Sequence, residues 1–380
     1  MDWLPDNTDV FVIGGGPAGL AAAIAARRRG FEVVVADSAR PPIDKACGEG
    51  LMPDAVTALA RLGVVATIGH GFPFHGIRFL EGGSSAAACF PQGHGLGIRR
   101  PVLHQLLIER ALTDGVTVRW ATPVNALDSG AVRIGRQTVR CRWVIGADGT
   151  NSRVRRWAAL EPTWSSVARV GLRQHFRVIP WTDCVEVYWR DRCQAYVTPV
   201  GSEEICIALI GERFGLSFAD LPALFPELGR RIAAAEPATA MRGAISVSTR
   251  LRRVIRGRLA LVGDASGSVD AITGEGLAVA FRQAAILADA LSKNDLAIYQ
   301  AAHRRIGRIP RLMSRLMLGL GGRAGMRQRA LRVLSCRPHL FNRLLAVHVG
   351  ALTPAAASLD VVCFAWRLLA ADFLASHDYA

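Results

Sequence analysis

The chain has 380 residues, 51% of them hydrophobic, enough to bury a substantial core and too apolar for a disordered protein. Its net charge of +15 comes almost wholly from arginine, Lys45 and Lys293 being the only lysines, and the basic residues lack the interleaved aromatics of a nucleic-acid surface, which argues against that partner. Eight cysteines without C-x-x-C pairs argue against a secreted disulfide scaffold, and Asp360, Arg367 and Asp372 interrupt the most apolar C-terminal stretch before it reaches the ~18 residues of a spanning helix.

A strand is predicted at once, over residues 9–13, which leaves no room for a leader and sets the expectation of a cytoplasmic protein. A glycine turn, an Ala-rich helix over 20–29 and a second strand over 32–36 complete a βαβ opening, and with it a parallel sheet. Residues 74–90 alternate weakly and read as short strands, before a helix over 101–112 begun by Pro101 and further strands over 116–120 and 139–145. From 167 to 210 the period changes to four strands (167–179, 184–189, 195–200 and 205–210) without intervening helices, which predicts an inserted antiparallel sheet. A helical stretch over 219–235, a strand over 258–262 and a helix over 275–292 follow, and the residues beyond Asp295 read as outer helices. There Leu312, Leu316 and Leu320 recur at helical spacing among Arg308, Arg311, Arg315 and Arg323. That stripe reads first as a packing face and second as a peripheral contact with a membrane surface.

Three segments carry the chemistry. Gly14, Gly16 and Gly19 form G-x-G-x-x-G between a strand and a helix, which permits a tight turn, close approach to a pyrophosphate and a helix N-terminus facing its charge. Asp37 ends the second strand at the spacing where a carboxylate accepts from a ribose, so a dinucleotide is expected. Further on, Asp148, Gly149, Ser152 and Arg155 fit D-G-x-x-S-x-x-R, and Gly263, Asp264 and Ala265 precede Thr273, Gly274, Glu275 and Gly276. Together these resemble the FAD-dependent monooxygenase and geranylgeranyl-reductase-like superfamily over about residues 9–300. The resemblance implies non-covalent FAD, with Asp148 near the pyrophosphate, Asp264 accepting from a ribityl hydroxyl, and Gly274 and Gly276 placing backbone amides beside the flavin. It also implies that Arg100, opening an R-x-x-L element, contacts FAD.

The implied architecture is α/β: a Rossmann-type FAD-binding domain from 1–70, 96–160 and 251–300, a substrate-binding sheet from 71–95 and 161–250, and C-terminal helices over 301–380. Within the superfamily the branches divide. Aromatic hydroxylases carry His, Pro and Gln where this chain has Gly267, Ala271 and Glu275, a departure that looks like prenyl reductases and halogenases. Prenyl reductases carry Y-x-W-x-F-P-K, of which residues 194–200 keep only Pro199, and no W-x-W of halogenases is present. The whole pattern looks most like bacterial monooxygenases found with lipid-making polyketide synthases, which implies hydroxylation of a lipophilic aromatic, polyketide-derived or isoprenoid small molecule with NAD(P)H and O2. An alkene reductase is the alternative, and a flavin module without turnover is the alternative of another class. No catalytic residue is named and no metal is expected. Cys47 is expected to be a small packed thiol, and His175, on the strand face of Arg173 and Arg177, is expected to be solvated.

Overall fold

The computed structural model describes residues 4–212 and 216–374, with side chains described as far as residue 368. Asn7–Ile13 (β1) runs through the glycine turn into Pro17–Arg27 (α1) and returns as Val33–Ala36 (β2). After Pro53–Arg61 (α2), the strands Gly76–Glu81 (β3) and Ser84–Cys89 (β4) precede Arg100–Thr113 (α3), Thr117–Arg119 (β5), Gln137–Gly146 (β6) and the short helix Arg153–Trp157 (α4). Then come Arg169–Arg177 (β7), Cys184–Arg190 (β8), Cys193–Gly201 (β9), Glu204–Gly211 (β10), Arg242–Ser246 (β11) and Leu259–Leu261 (β12). The chain ends in six helices among the described residues: Gly276–Ser292 (α5), Leu296–Ile306 (α6), Arg308–Gly321 (α7), Ala324–Cys336 (α8), Pro338–His348 (α9) and Ser358–Leu374 (α10).

Five strands of the first sheet run parallel in the order β12-β6-β1-β2-β5, with Phe11 opposite Val144 on one side and Val34 on the other, and short antiparallel strands are added at its edge and on β6. Its central strands are buried on both faces, which is why they read as continuous Val and Ile runs. Helices α1 and α5 pack together on it, and Gly263 sits where a Cβ would lie 2.6 Å from the Cβ of Ala18. The close approach that brings the third segment to the first therefore requires a residue without a side chain.

The second sheet runs β7-β10-β9-β8-β3-β4, with β11 also on β7. Its ladders are antiparallel except β8 on β3, which is parallel because β3 enters the sheet from the segment before α3. One face packs on Leu216 and on Leu221, Phe225 and Leu228 of the helical stretch 218–231. Around β3 and β4, Ala86 and Ala88 pack with Leu331 of α8 and Phe341 and Leu345 of α9. Helix α7 is pinned to the sheet at its C-terminal end, where Gly321 O accepts from Arg192 N (3.0 Å) and from Nη1 of the buried Arg327 (2.7 Å), whose guanidinium also pairs with Glu81. The α7 stripe departs from the packing expectation: Leu312 and Leu316 are 51% and 54% exposed. No helix among the described residues is long and apolar enough to cross a membrane.

Candidate active site

The two sheets and the C-terminal helices enclose a cavity of about 780 Å³. All of the sequence-selected residues line it, Gly14, Gly16, Asp37, Arg100, Asp148, Asp264, Gly274 and Gly276, except Gly19, which lies behind. The glycine turn explains itself sterically: a Cβ on Gly14, at φ +111°, would meet Ala147 O at 2.5 Å, and one on Gly19 would meet Gly14 O at 1.8 Å. A Cβ on Gly16 would meet nothing within 4 Å, so that side of the turn faces open cavity. Asp37 accepts from Gly15 N at 2.6 Å and Ala39 N at 2.7 Å. Behind the turn the buried His104 donates from Nε2 to Gly15 O (2.8 Å) while Nδ1 accepts from Ile43 N (3.3 Å). Burial holds its pKa below the ordinary imidazole value.

The second segment is a weld as much as a lining. Asp148 accepts from Arg153 N (2.7 Å) and Val154 N (3.1 Å), and Ser152 caps α4 by accepting from Arg155 N (2.9 Å). Arg155, 7% exposed, then donates to Thr150 O (2.8 Å) and Ala265 O (3.3 Å), tying this segment to the third. In the third, Asp264 takes Lys45 Nζ at 3.4 Å and Thr150 Oγ1 at 3.2 Å. Gly274 turns the chain at φ +66°, and α5 starts at Gly276 with no side-chain cap.

The second sheet holds this loop in two places. Arg169, 4% exposed, pairs with Asp270 at 2.8 Å, and Tyr196 donates to Ile272 O at 2.7 Å. Neither contact follows from spacing, since the partners are 101 and 76 residues apart in the chain.

A second buried group joins the domains. His175 is fully buried, contrary to the solvated face expected for it: the loop of Asp44 and Glu49 covers that side of β7. Its Nε2 lies 2.6 Å from Glu49 Oε2, and Nδ1 meets Thr239 Oγ1 (2.9 Å) and Arg173 Nη1 (3.1 Å). Arg173 reaches back to Asp44, and Glu49 Oε1 accepts from Arg100 N at 2.9 Å. Glu49 holds φ +57°, a left-handed conformation rare for a residue with a side chain, and these bonds fix it there. Glu49, His175 and Cys206 present ligand atoms within 4.8 Å of one another. The Arg173 guanidinium, 3.8 Å from Glu49, already supplies the positive charge, and burial pushes the Cys206 thiol well up, away from the thiolate a metal needs. Cys47, expected to be packed, is partly exposed and lines the cavity.

Glu275 stands where aromatic hydroxylases carry Gln. Burial, with Asp54 nearby, raises its pKa from about 4.5 to about 8, so it is a neutral carboxylic acid at neutral pH, close in shape and bonding to a Gln amide. The facing imidazole of His348, 3.6 Å away, is lowered by burial to about 4 and is neutral as well.

These residues fit a dinucleotide flavin. Arg100 Nε is buried with no partner among the described residues, and α1 also starts without a side-chain cap, so donors at both helix starts remain for an anionic ligand. In sequence the chain is 28% identical over 326 residues to menaquinone reductase from Mycolicibacterium smegmatis, covering 78% of this chain and 79% of the relative. It is also 28% identical over 320 residues to a ubiquinone hydroxylase of Rhodospirillum rubrum, covering 74% and 72%. In structure it resembles p-nitrophenol 4-monooxygenase from Pseudomonas putida, with TM-score 0.76 and 19% identity over 88% of this chain and 95% of that one, a likeness of fold. The FAD binding domain family model matches residues 7–198, half of the chain, and the protein therefore belongs to that family and is an FAD-dependent oxidoreductase.

Proposed function

We propose that the protein hydroxylates a lipophilic ring bearing an apolar chain, with NAD(P)H as electron donor and O2 as oxygen source. The observation that carries this is the cavity's second half. Val185, Val187 and Trp189 line it from β8, and Phe79 stacks on both Trp189 (centroids 5.1 Å) and Phe341 (5.4 Å), giving an aromatic wall that continues to the leucines of α7 to α9. A wall of this kind excludes water and accepts an apolar chain of some length. The names of the two relatives given above are those of enzymes acting on menaquinone and ubiquinone, which supports a lipophilic quinone-like substrate class.

FAD, which Asp37, Arg100, Asp264 and the starts of α1 and α5 would hold, would supply the redox chemistry between the nicotinamide and oxygen. What the chain supplies is position and dryness. Trp189 lines the cavity, and its Nε1 is buried with no partner among the described residues. The hydroxyls of β9 are committed elsewhere: Tyr196 donates to Ile272 O and Thr198 to Gly48 O (2.8 Å). Neither is free to protonate a carbon, which alkene reduction requires and hydroxylation does not.

A second reading, alkene reduction, is favoured by Cys47, whose thiol lines the cavity and accepts only Glu49 N at 3.4 Å, leaving a proton to give. Turnover of a phenol bearing an unsaturated prenyl chain, in sealed vessels with and without air, separates the two. Product formation that needs air supports hydroxylation; equal or faster turnover without oxygen supports the reductase.

A further inference from the structure

Helix α7 has two roles at once. Leu312 and Leu316 line the cavity and are also half exposed, so they form its rim rather than its floor. Val361 of α10 does the same at 49% exposure, and beside it Leu359, Val362 and Trp366 stand 82%, 65% and 61% exposed. The apolar lining thus continues onto the outer surface, over two helices.

The charge on these helices is predominantly positive, and Asp360, beside Val361 on α10, is paired with Arg343 at 2.7 Å. Between Asp295 and Asp360 the sequence carries eleven arginines and no acidic residue. Arg308 and Arg315 are exposed on the same α7 face as Leu312 and Leu316, at helical spacings of three, four and seven, and form no ion pair among the described residues. Exposed leucines between arginines on one helix face match an anionic lipid surface, whose headgroups take the guanidinium groups while the leucines enter the acyl boundary. A soluble protein partner would need acidic residues placed for this pattern, whereas a membrane needs only negative charge and depth.

We propose that α7, with α10 beside the cavity, seats the protein on an anionic membrane, and that the rim at Leu312 and Leu316 is the door through which a lipophilic substrate passes from bilayer to cavity. The use of this door rests on the lipophilic-substrate reading; the seating itself does not. Arg308 and Arg315 do not line the cavity, so they can be altered without touching the substrate wall.

The test is co-sedimentation of the FAD-loaded full chain with phosphatidylcholine vesicles, with and without phosphatidylglycerol. Wild type is expected to pellet with the anionic vesicles, weakly with the neutral ones, and less as salt rises. Arg308→Glu with Arg315→Glu is expected to weaken anionic binding by about 25-fold or more, at roughly fivefold per lost charge. Leu312→Gln with Leu316→Gln is expected to weaken binding to both vesicle types. Retained flavin in both variants reports an intact fold. No pelleting of wild type at low salt overturns the proposal, as does undiminished binding by both double variants. A wild-type dimer in light scattering that both variants convert to monomer, without vesicle binding, also overturns it by making the face a contact between copies. These measurements need no turnover, so their failure leaves the hydroxylase reading standing and its failure leaves them standing.

Discussion

At the scale of single residues, Glu275 shows how an unusual residue type can preserve a chemical environment. In water its carboxylate would be ionised; buried beside Asp54 it keeps its proton and stays neutral. Because its folded-state pKa of about 8 lies above the unfolded value near 4.5, its contribution to stability is full below about pH 4.5 and is lost as pH rises through 8. Glu275→Gln should therefore melt close to wild type at pH 5 and clearly above it at pH 8, as followed by thermal unfolding of the FAD-bound protein. Parallel melting profiles from pH 5 to 8 would show that Glu275 is ionised throughout. The substitution of Glu for Gln is plain in the sequence, but its consequence is not, because burial by Asp54 on α2 and by the C-terminal helices decides it.

At the scale of elements, the glycine turn was legible because its steric demands are local: Gly14 and Gly19 touch backbone within a few residues or across one strand pair. The loop from Asp264 to Gly276 was legible as a motif, yet what holds it was not. Arg169 and Tyr196 come from a different sheet, and strand alternation says only which residues share a face, not what covers that face. The same gap explains His175, whose neighbours Arg173 and Arg177 suggest water until the loop bearing Asp44 and Glu49 closes over the first two. Arg169→Met leaves Asp270 buried without its partner, an uncompensated charge that costs about 3 to 5 kcal/mol. The expected outcome is a lowered urea midpoint together with weaker flavin retention, because Asp270 also caps the turn by accepting from Ile272 N at 3.0 Å. Loss of stability with flavin affinity unchanged would mean that the pair supports the sheet alone.

At the scale of the whole molecule, one sheet and the helices on it carry the cofactor segments, the other sheet supplies a wall, and the C-terminal helices close the space between them and open it at α7. Order along the chain disclosed the insertion of the second sheet; it did not disclose that residues beyond Asp295 complete the cavity, since amphipathic helices pack on many surfaces with the same period. The cavity's apolar second half gives the account its central claim, that oxygen is inserted into a lipophilic ring. The most direct measurement is mass spectrometry of the product from a phenol bearing an unsaturated prenyl chain, turned over with NAD(P)H under ¹⁸O₂. The account predicts a product heavier by one labelled oxygen atom; a product carrying two added hydrogens and no label would contradict it.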